Sequence, residues 1–212
     1  MVTHSQLPPE ANHTLATARR TFTFWLFAAG GFSVASLGTG LIFHHYSIMA
    51  ASGIERSLAA IVFVPFGFVT AATNFCTGIL IDRISPRLLL GTMLLLLCAA
   101  LFMAVRVTSA ELMLAYGCLL GLMQGMSGVL QAGVYAYYFG RCLRRASPTH
   151  LGAISGLATT IAVAGTAFGP VLFATGFDQF GSYTPILGFS MILPLAIAFT
   201  ALWVELTKRT EA

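Results

Sequence analysis

Gly78-Ile79-Leu80-Ile81-Asp82-Arg83-Ile84-Ser85-Pro86-Arg87 is a short charged turn set between two long uncharged stretches, in a protein of which only 8 % is charged. The flanking stretches, residues 57 to 81 and 88 to 105, contain no Asp, Glu, Lys or Arg. Further out the same holds for residues 21 to 54, 112 to 140, 146 to 177 and 179 to 204, so all eleven Lys and Arg and all seven Asp and Glu fall outside six windows. A helix crosses a hydrocarbon core of roughly 30 Å with about 20 mostly apolar residues, and a charge at its centre costs roughly 2.5 to 3.5 kcal/mol. The six windows therefore predict six membrane-spanning helices, the shortest being the third, at 18 residues. Runs such as Leu88-Leu89-Leu90 lack the alternation that a spanning barrel strand needs. With 57 % hydrophobic residues and a mean hydropathy of +0.85, a soluble core is excluded too. The expected fold class is all-α, a polytopic membrane protein with six transmembrane helices.

Six spans place both ends of the chain on one side. That side carries Arg19, Arg20, Arg83, Arg87, Arg141, Arg144, Arg145, Lys208 and Arg209, and the other carries only Arg56 and Arg106. Nine against two makes the first side cytoplasmic by the positive-inside rule. The net charge of +4 is thus a topology signal, and no basic face remains for nucleic acid. Residues 1 to 20 read as a polar cytoplasmic tail with Pro8-Pro9, residues 21 to 206 as the bundle, and residues 207 to 212 as a second cytoplasmic tail. The first apolar window far exceeds the roughly 7 to 15 residues of a signal-peptide core, so the tail is expected to be retained. Cys76, Cys98, Cys118 and Cys142 show neither a Cys-x-x-Cys pair nor metal spacing, and are expected to be packing residues, with no metal or cofactor implied.

Short connections predict that sequence neighbours pack antiparallel in one bundle. Ser147 as N-cap and Pro148 at the first helical position open the fifth helix. Pro65, Pro170 and Pro194 fall inside windows, where neighbouring helices can re-satisfy the freed carbonyls.

Helix four carries the richest pattern. At 100° per residue Gly117, Gly121, Gly125 and Gly128 fall within a sector of about 80°, with Gln124, Gln131, Tyr135 and Tyr138 beside them. Small residues let helices approach closely, while an amide facing lipid would be unsatisfied. The Gln and Tyr stripe therefore faces either a central cavity or hydrogen-bond partners on neighbouring helices. In helix one Ser33, Ser36, Gly40, His44 and Ser47 share a face, with His45 pointing elsewhere. His44 either titrates and grips an anionic group or anchors the helix end at the interface. Asn74 in helix two is either path lining or interhelical glue. Helix five places Ser155, Thr159 and Thr166 on one face. No Asp, Glu, Lys or Arg sits within a window, which removes the usual intramembrane route for proton coupling.

The turn resembles the loop signature of the major facilitator superfamily, Gly-x-x-x-Asp-Arg-x-Gly-Arg-Arg/Lys, with Gly78, Asp82, Arg83 and Arg87 in register and Ser85 and Pro86 where Gly and Arg are usual. Tyr137-Tyr138-Phe139-Gly140-Arg141 and His150-Leu151-Gly152-Ala153-Ile154-Ser155-Gly156 are similar to bacterial members related to the monocarboxylate and oxalate/formate porters. Gly165-Thr166-Ala167-Phe168-Gly169-Pro170 resembles the Gly-x-x-x-Gly-Pro kink of facilitator families, assigning the kink to Gly165, Gly169 and Pro170. The resemblance is to the C-terminal six helices of a twelve-helix facilitator. It implies an inverted three-plus-three repeat, of which Thr77-Gly78 to Asp82 and Thr175-Gly176 to Asp178 are only a faint echo. It also implies that Asp82 sits against a helix N-terminus of the opposite half, as a lock favouring the outward-facing state.

The expected function is a half-transporter of the plasma membrane, the bacterial inner membrane, moving a small polar or anionic solute by alternating access. Helices one, two, four and five line its path. Its partners are the lipid bilayer, the solute, and either a second copy or a separately encoded six-helix N-terminal half. In the homodimer, Asp82 of one copy approaches residues 147 to 151 of the other. The alternative is a non-transporting remnant or an assembly and regulatory protein derived from a facilitator. An enzyme is not expected, since His44-His45 form no metal motif and no Ser/His/Asp arrangement is visible.

Overall fold

Hydroxyl side chains start the spans. Thr21, Ser85, Ser109 and Ser182 accept hydrogen bonds from the backbone N–H groups of Phe24, Leu88, Leu112 and Thr184 at 3.3, 3.4, 3.3 and 3.3 Å. Each satisfies a first-turn donor that the helix cannot satisfy itself. Ser85 is followed by Pro86 at the first helical position, where the missing N–H costs nothing. The computed structural model describes residues 15–139 and 148–210. The fifth long helix begins at Pro148; its expected cap Ser147, with Arg141, Cys142, Arg144 and Arg145, lies outside the described residues.

The elements are all helical: α1 (Leu15–Ala18), α2 (Phe22–Phe43), α3 (His45–Ala51), α4 (Arg56–Ala60), α5 (Phe63–Leu80), α6 (Pro86–Ala104), α7 (Ala110–Phe139), α8 (Pro148–Phe180), α9 (Tyr183–Ser190) and α10 (Ile192–Thr210). Among the described residues six spans are long and apolar enough to cross a membrane: Phe22–Phe43, Arg56–Leu80, Pro86–Ala104, Ala110–Phe139, Leu151–Phe180 and Tyr183–Thr207. Two are built from two helices, and proline sets both breaks. Pro65 has no N–H for the Ile61 carbonyl, which instead takes the Val64 N–H at 3.1 Å, so α4 and α5 meet at residues 61 and 62. Pro194 leaves the Ser190 carbonyl without its donor in the same way, and α9 gives over to α10 at Met191. Pro170 lies inside α8, which continues through it. Gly53 (φ 77°) closes α3 in a left-handed turn, with Ile54 N–H on the Met49 carbonyl and Gly53 N–H on the Ala50 carbonyl, both at 3.0 Å.

Sequence neighbours such as α6 and α7 do pack together, but they are not the most extensive pairings. The most extensive pairings are α2 with α8 and α5 with α7, followed by α6 with α10 and with α7. In a chain that reverses at every connection, α2 and α8 run parallel, as do α5 and α7. Glycine explains the choice. A Cβ added at Gly117, Gly121 or Gly125 of α7 would lie 2.7, 2.9 or 2.6 Å from the carbonyl oxygen of Val62, Phe66 or Thr70. On α8, a Cβ at Gly165 would lie 2.8 Å from the Phe32 carbonyl oxygen of α2, and one at Gly169 would run into the Ser36 carbonyl. Two parallel pairs are therefore in backbone contact, as small-residue interfaces in membranes allow.

Exchanging α2 with α7, α5 with α8 and α6 with α10 turns the α2·α8 pair into α7·α5 and leaves α6·α10 and α2·α7 unchanged, but the α2·α6 and α7·α8 pairs have no counterpart of similar extent, so the correspondence is partial. The buried interior between the spans is filled by residues such as Phe24, Leu41, Leu90, Leu94, Leu97, Leu101 and Phe173. Outward-facing positions carry Phe68, Phe75, Phe199 and Trp203, as a lipid-facing surface requires.

Gly121→Ala and Gly125→Ala are expected to lower the thermal unfolding midpoint in detergent by the equivalent of about 1 to 3 kcal/mol each, the usual cost of overpacking. Gly78→Ala, which would meet no heavy atom within 4 Å, should leave the midpoint unchanged. Unchanged midpoints in all three variants would refute backbone contact between α5 and α7.

Candidate functional site

Gln124 stands three positions after Gly121 and one before Gly125. That places it about 60° round α7 from Gly121 and about 100° from Gly125. Gln131 follows two turns later on the same side, about 10 Å along the axis. Thr159 and Thr166 repeat the seven-residue spacing on α8. All four border one cleft of about 220 Å³, together with Thr39 of α2 and Ser127 of α7. Apolar lining comes from Val34, Ala35, Ala162 and Val163.

Asn74 adds a third carboxamide from α5. Its Nδ2 is 3.5 Å from where a Cβ on Gly128 would lie, and Gly128 is four residues after Gln124 and three before Gln131. Gln124, Gly128 and Asn74 are exposed and Gln131 is half-buried beside Gly31. Asn74, Gln124 and Gln131 thus form one open patch, and they are the three carboxamides lying well inside the spans.

The patch has free hydrogen-bonding capacity. The side chains of Thr39, Asn74, Gln124, Gln131 and Thr159 have no hydrogen-bond partner among the described residues. Two hydroxyls are committed: Thr166 Oγ1 donates to the Val163 carbonyl at 2.7 Å and Ser127 Oγ to the Gln124 carbonyl at 3.1 Å. Their lone pairs alone remain for anything in the cleft.

Other polar residues singled out in the sequence lie elsewhere. Ser33 is buried and donates to the Ala29 carbonyl at 2.8 Å. Ser36 is buried with its hydroxyl unpartnered, beside a separate apolar cleft of about 230 Å³ between α2, α8, α9 and α10. Tyr135 is buried with its ring 6.0 Å from that of Phe24. Ser155 donates to the Leu151 carbonyl at 2.9 Å. Of the glycines and proline assigned to a kink, Gly165 and Gly169 form the contact with α2, and the Pro170 carbonyl faces His44.

His44 stands where α2 gives way to α3. Its Nε2 is 3.0 Å from the Pro170 carbonyl oxygen and its Nδ1 3.0 Å from the Tyr183 hydroxyl. A carbonyl only accepts, so Nε2 carries the proton and donates, and Nδ1 accepts from Tyr183. The ring ties α2 to α8 and to the start of α9. Tyr183 was not singled out in the sequence, because it lies 139 positions away and no local pattern joins the two.

In the charged turn, Asp82 and Arg83 are exposed and form no ion pair with a described residue, and Gly78 borders open space. Arg87 turns inward and is only 7 % exposed. Its guanidinium donates to Thr23 Oγ1 at 3.2 Å and lies 5.3 Å from the centre of the Tyr138 ring, while its Nε is unpartnered. The Ser85 cap went unread in the sequence although its signal, Ser-Pro at the head of an uncharged window, is the one that marks Ser147-Pro148.

These features define an all-α polytopic membrane protein with an uncharged polar patch deep in its spans. No protein-family model matches the chain, and no curated protein matches it in sequence. Functional inference therefore rests on the geometry above.

A double-mutant cycle with His44→Ala and Tyr183→Phe is expected to show coupling of about 0.5 to 1.5 kcal/mol in thermal or denaturant unfolding, the range of one buried hydrogen bond. Strict additivity would exclude the contact.

Proposed function

We propose that this chain is one half of a transporter of the major facilitator type, moving a small polar or anionic solute by alternating access. The observation that carries the proposal is the convergence of Asn74, Gln124 and Gln131 on one open patch at membrane depth. A carboxamide left in hydrocarbon without partners costs several kcal/mol, so three of them side by side call for water, a solute or another protein surface. The cleft bordered by Gln124 and Gln131 supplies room for the first two.

The flank supports the third. Arg56–Leu80 is the span least covered by the rest of the chain, with 11 % of its apolar window buried, although it carries Asn74. A second six-helix bundle laid over this face would convert the open cleft into a path between two bundles that rock against each other. That bundle is either a second copy of the chain or a separately encoded half. The excess of arginine at the end holding both termini supports insertion with that end in the cytoplasm, in a bacterial inner membrane. Exposed Asp82 at that end is free to approach a helix N-terminus of the second bundle, where a carboxylate gains roughly 0.3 to 1 kcal/mol.

In reconstituted vesicles, Gln124→Ala and Gln131→Ala should each reduce solute flux about ten-fold, the equivalent of one hydrogen bond to the solute. Leu119→Ala, which removes a side chain packed on the core, should reduce it less. Equal losses would assign the glutamines to packing, and a protein without flux would be a non-transporting membrane protein.

Asp82→Asn should bias the protein toward the cytoplasm-open state. Impermeant thiol labelling of Gln131→Cys from each face reads this directly, and a labelling ratio unchanged by Asp82→Asn would reject the lock.

A further inference from the structure

The charge of the solute is written in the cleft. Two hydroxyls there offer only lone pairs, Thr166 and Ser127, because their hydrogens already go to the Val163 and Gln124 carbonyls. Around them stand carboxamides, each able to donate and accept, and Thr159 and Thr39, whose hydroxyls are free. From these groups, resting on the transport proposal above, we infer that the site selects an uncharged solute rich in O–H or N–H donors, of the polyol or carboxamide class.

Three observations point the same way. Fixed acceptors require donors opposite them. A carboxylate has none, and would set its lone pairs against those of Thr166 and Ser127. No cation is at hand to offset such an anion. Among the described residues every arginine lies at an end of the bundle, and three are engaged there: Arg56 over the Tyr46 ring, Arg106 over the Phe102 ring, and Arg87 on Thr23 and Tyr138. A cationic solute fares no better. Glu55, Asp82, Glu111, Asp178 and Glu205 all lie at or near span ends, and the cleft has no carboxylate. A charge drawn out of water without a counter-charge is disfavoured far more than a neutral group whose hydrogen bonds are all met. Pairing two copies of this chain would double the polar groups and leave the sum of charge at zero.

Three solutes of one carbon skeleton isolate the charge: lactamide, lactate, and 1-amino-2-propanol as its ammonium form. Erythritol adds a second neutral probe. With the purified full-length chain in proteoliposomes, saturable entry of lactamide or erythritol is expected at least ten-fold above that of lactate and of the amino alcohol. Thr166→Val, which keeps the side-chain shape and removes the acceptor, should lower that entry about ten-fold. Thr160→Val, one of the exposed positions of α8 outside the cleft, should leave it unchanged. Faster saturable entry of lactate or of the ammonium compound, still lost in Gln124→Ala, would overturn the neutral class while the transport proposal stands. No saturable entry of any of the four by a folded protein would overturn both.

Discussion

Backbone contact between parallel helices is the constraint on which the rest of this structure depends. In hydrocarbon, apolar side chains gain nothing by leaving lipid for one another, so close approach must supply the attraction. Gly117, Gly121 and Gly125 let α7 reach the carbonyls of α5, and Gly165 and Gly169 let α8 reach those of α2. Once those pairs are locked, α6 and α10 fill the remaining side of the bundle, packed on each other, with α6 also against α7 and α2 and α10 against α2.

The polar patch is a consequence of the same contacts. Gln124 and Gln131 sit beside the glycine line of α7, so seating the glycines against α5 aims the amides into the adjoining cleft. Gly128 belongs to both features: it continues the small-residue line and lies beside the Asn74 carboxamide. Seven-residue spacing on α8 brings Thr159 and Thr166 opposite, because two turns return a residue to within about 20° of its starting direction. The close helix contact and the polar patch therefore share one helix face, offset by less than a third of a turn.

The two ends of the bundle are built differently from its middle. Arginines there find rings and hydroxyls: Arg87 on Thr23 and Tyr138, Arg56 on Tyr46, Arg106 on Phe102. Such placements let a guanidinium stay at the membrane edge with its stem in apolar surroundings. His44 does comparable work at the end that holds Arg56 and Arg106, tying three helices through one donated and one accepted hydrogen bond. Of the three charged residues in the turn, Asp82 and Arg83 are exposed and Arg87 is buried.

By itself the sequence determined the fold class and the number of spans, since charge is so costly in hydrocarbon that its positions mark the ends of every membrane segment. It also placed Gln124, Gln131, Thr159 and Thr166 on single faces of their helices, because helical periodicity is a local property. Which faces meet was decided only by the tertiary structure. Nothing local says that α5 pairs with α7 rather than α6, that Asn74 of one helix joins Gln124 of another, or that Ser36 and Tyr135 turn away from the cleft. Those choices follow from how closely two backbones can approach, and that depends on the side chains of both partners at once.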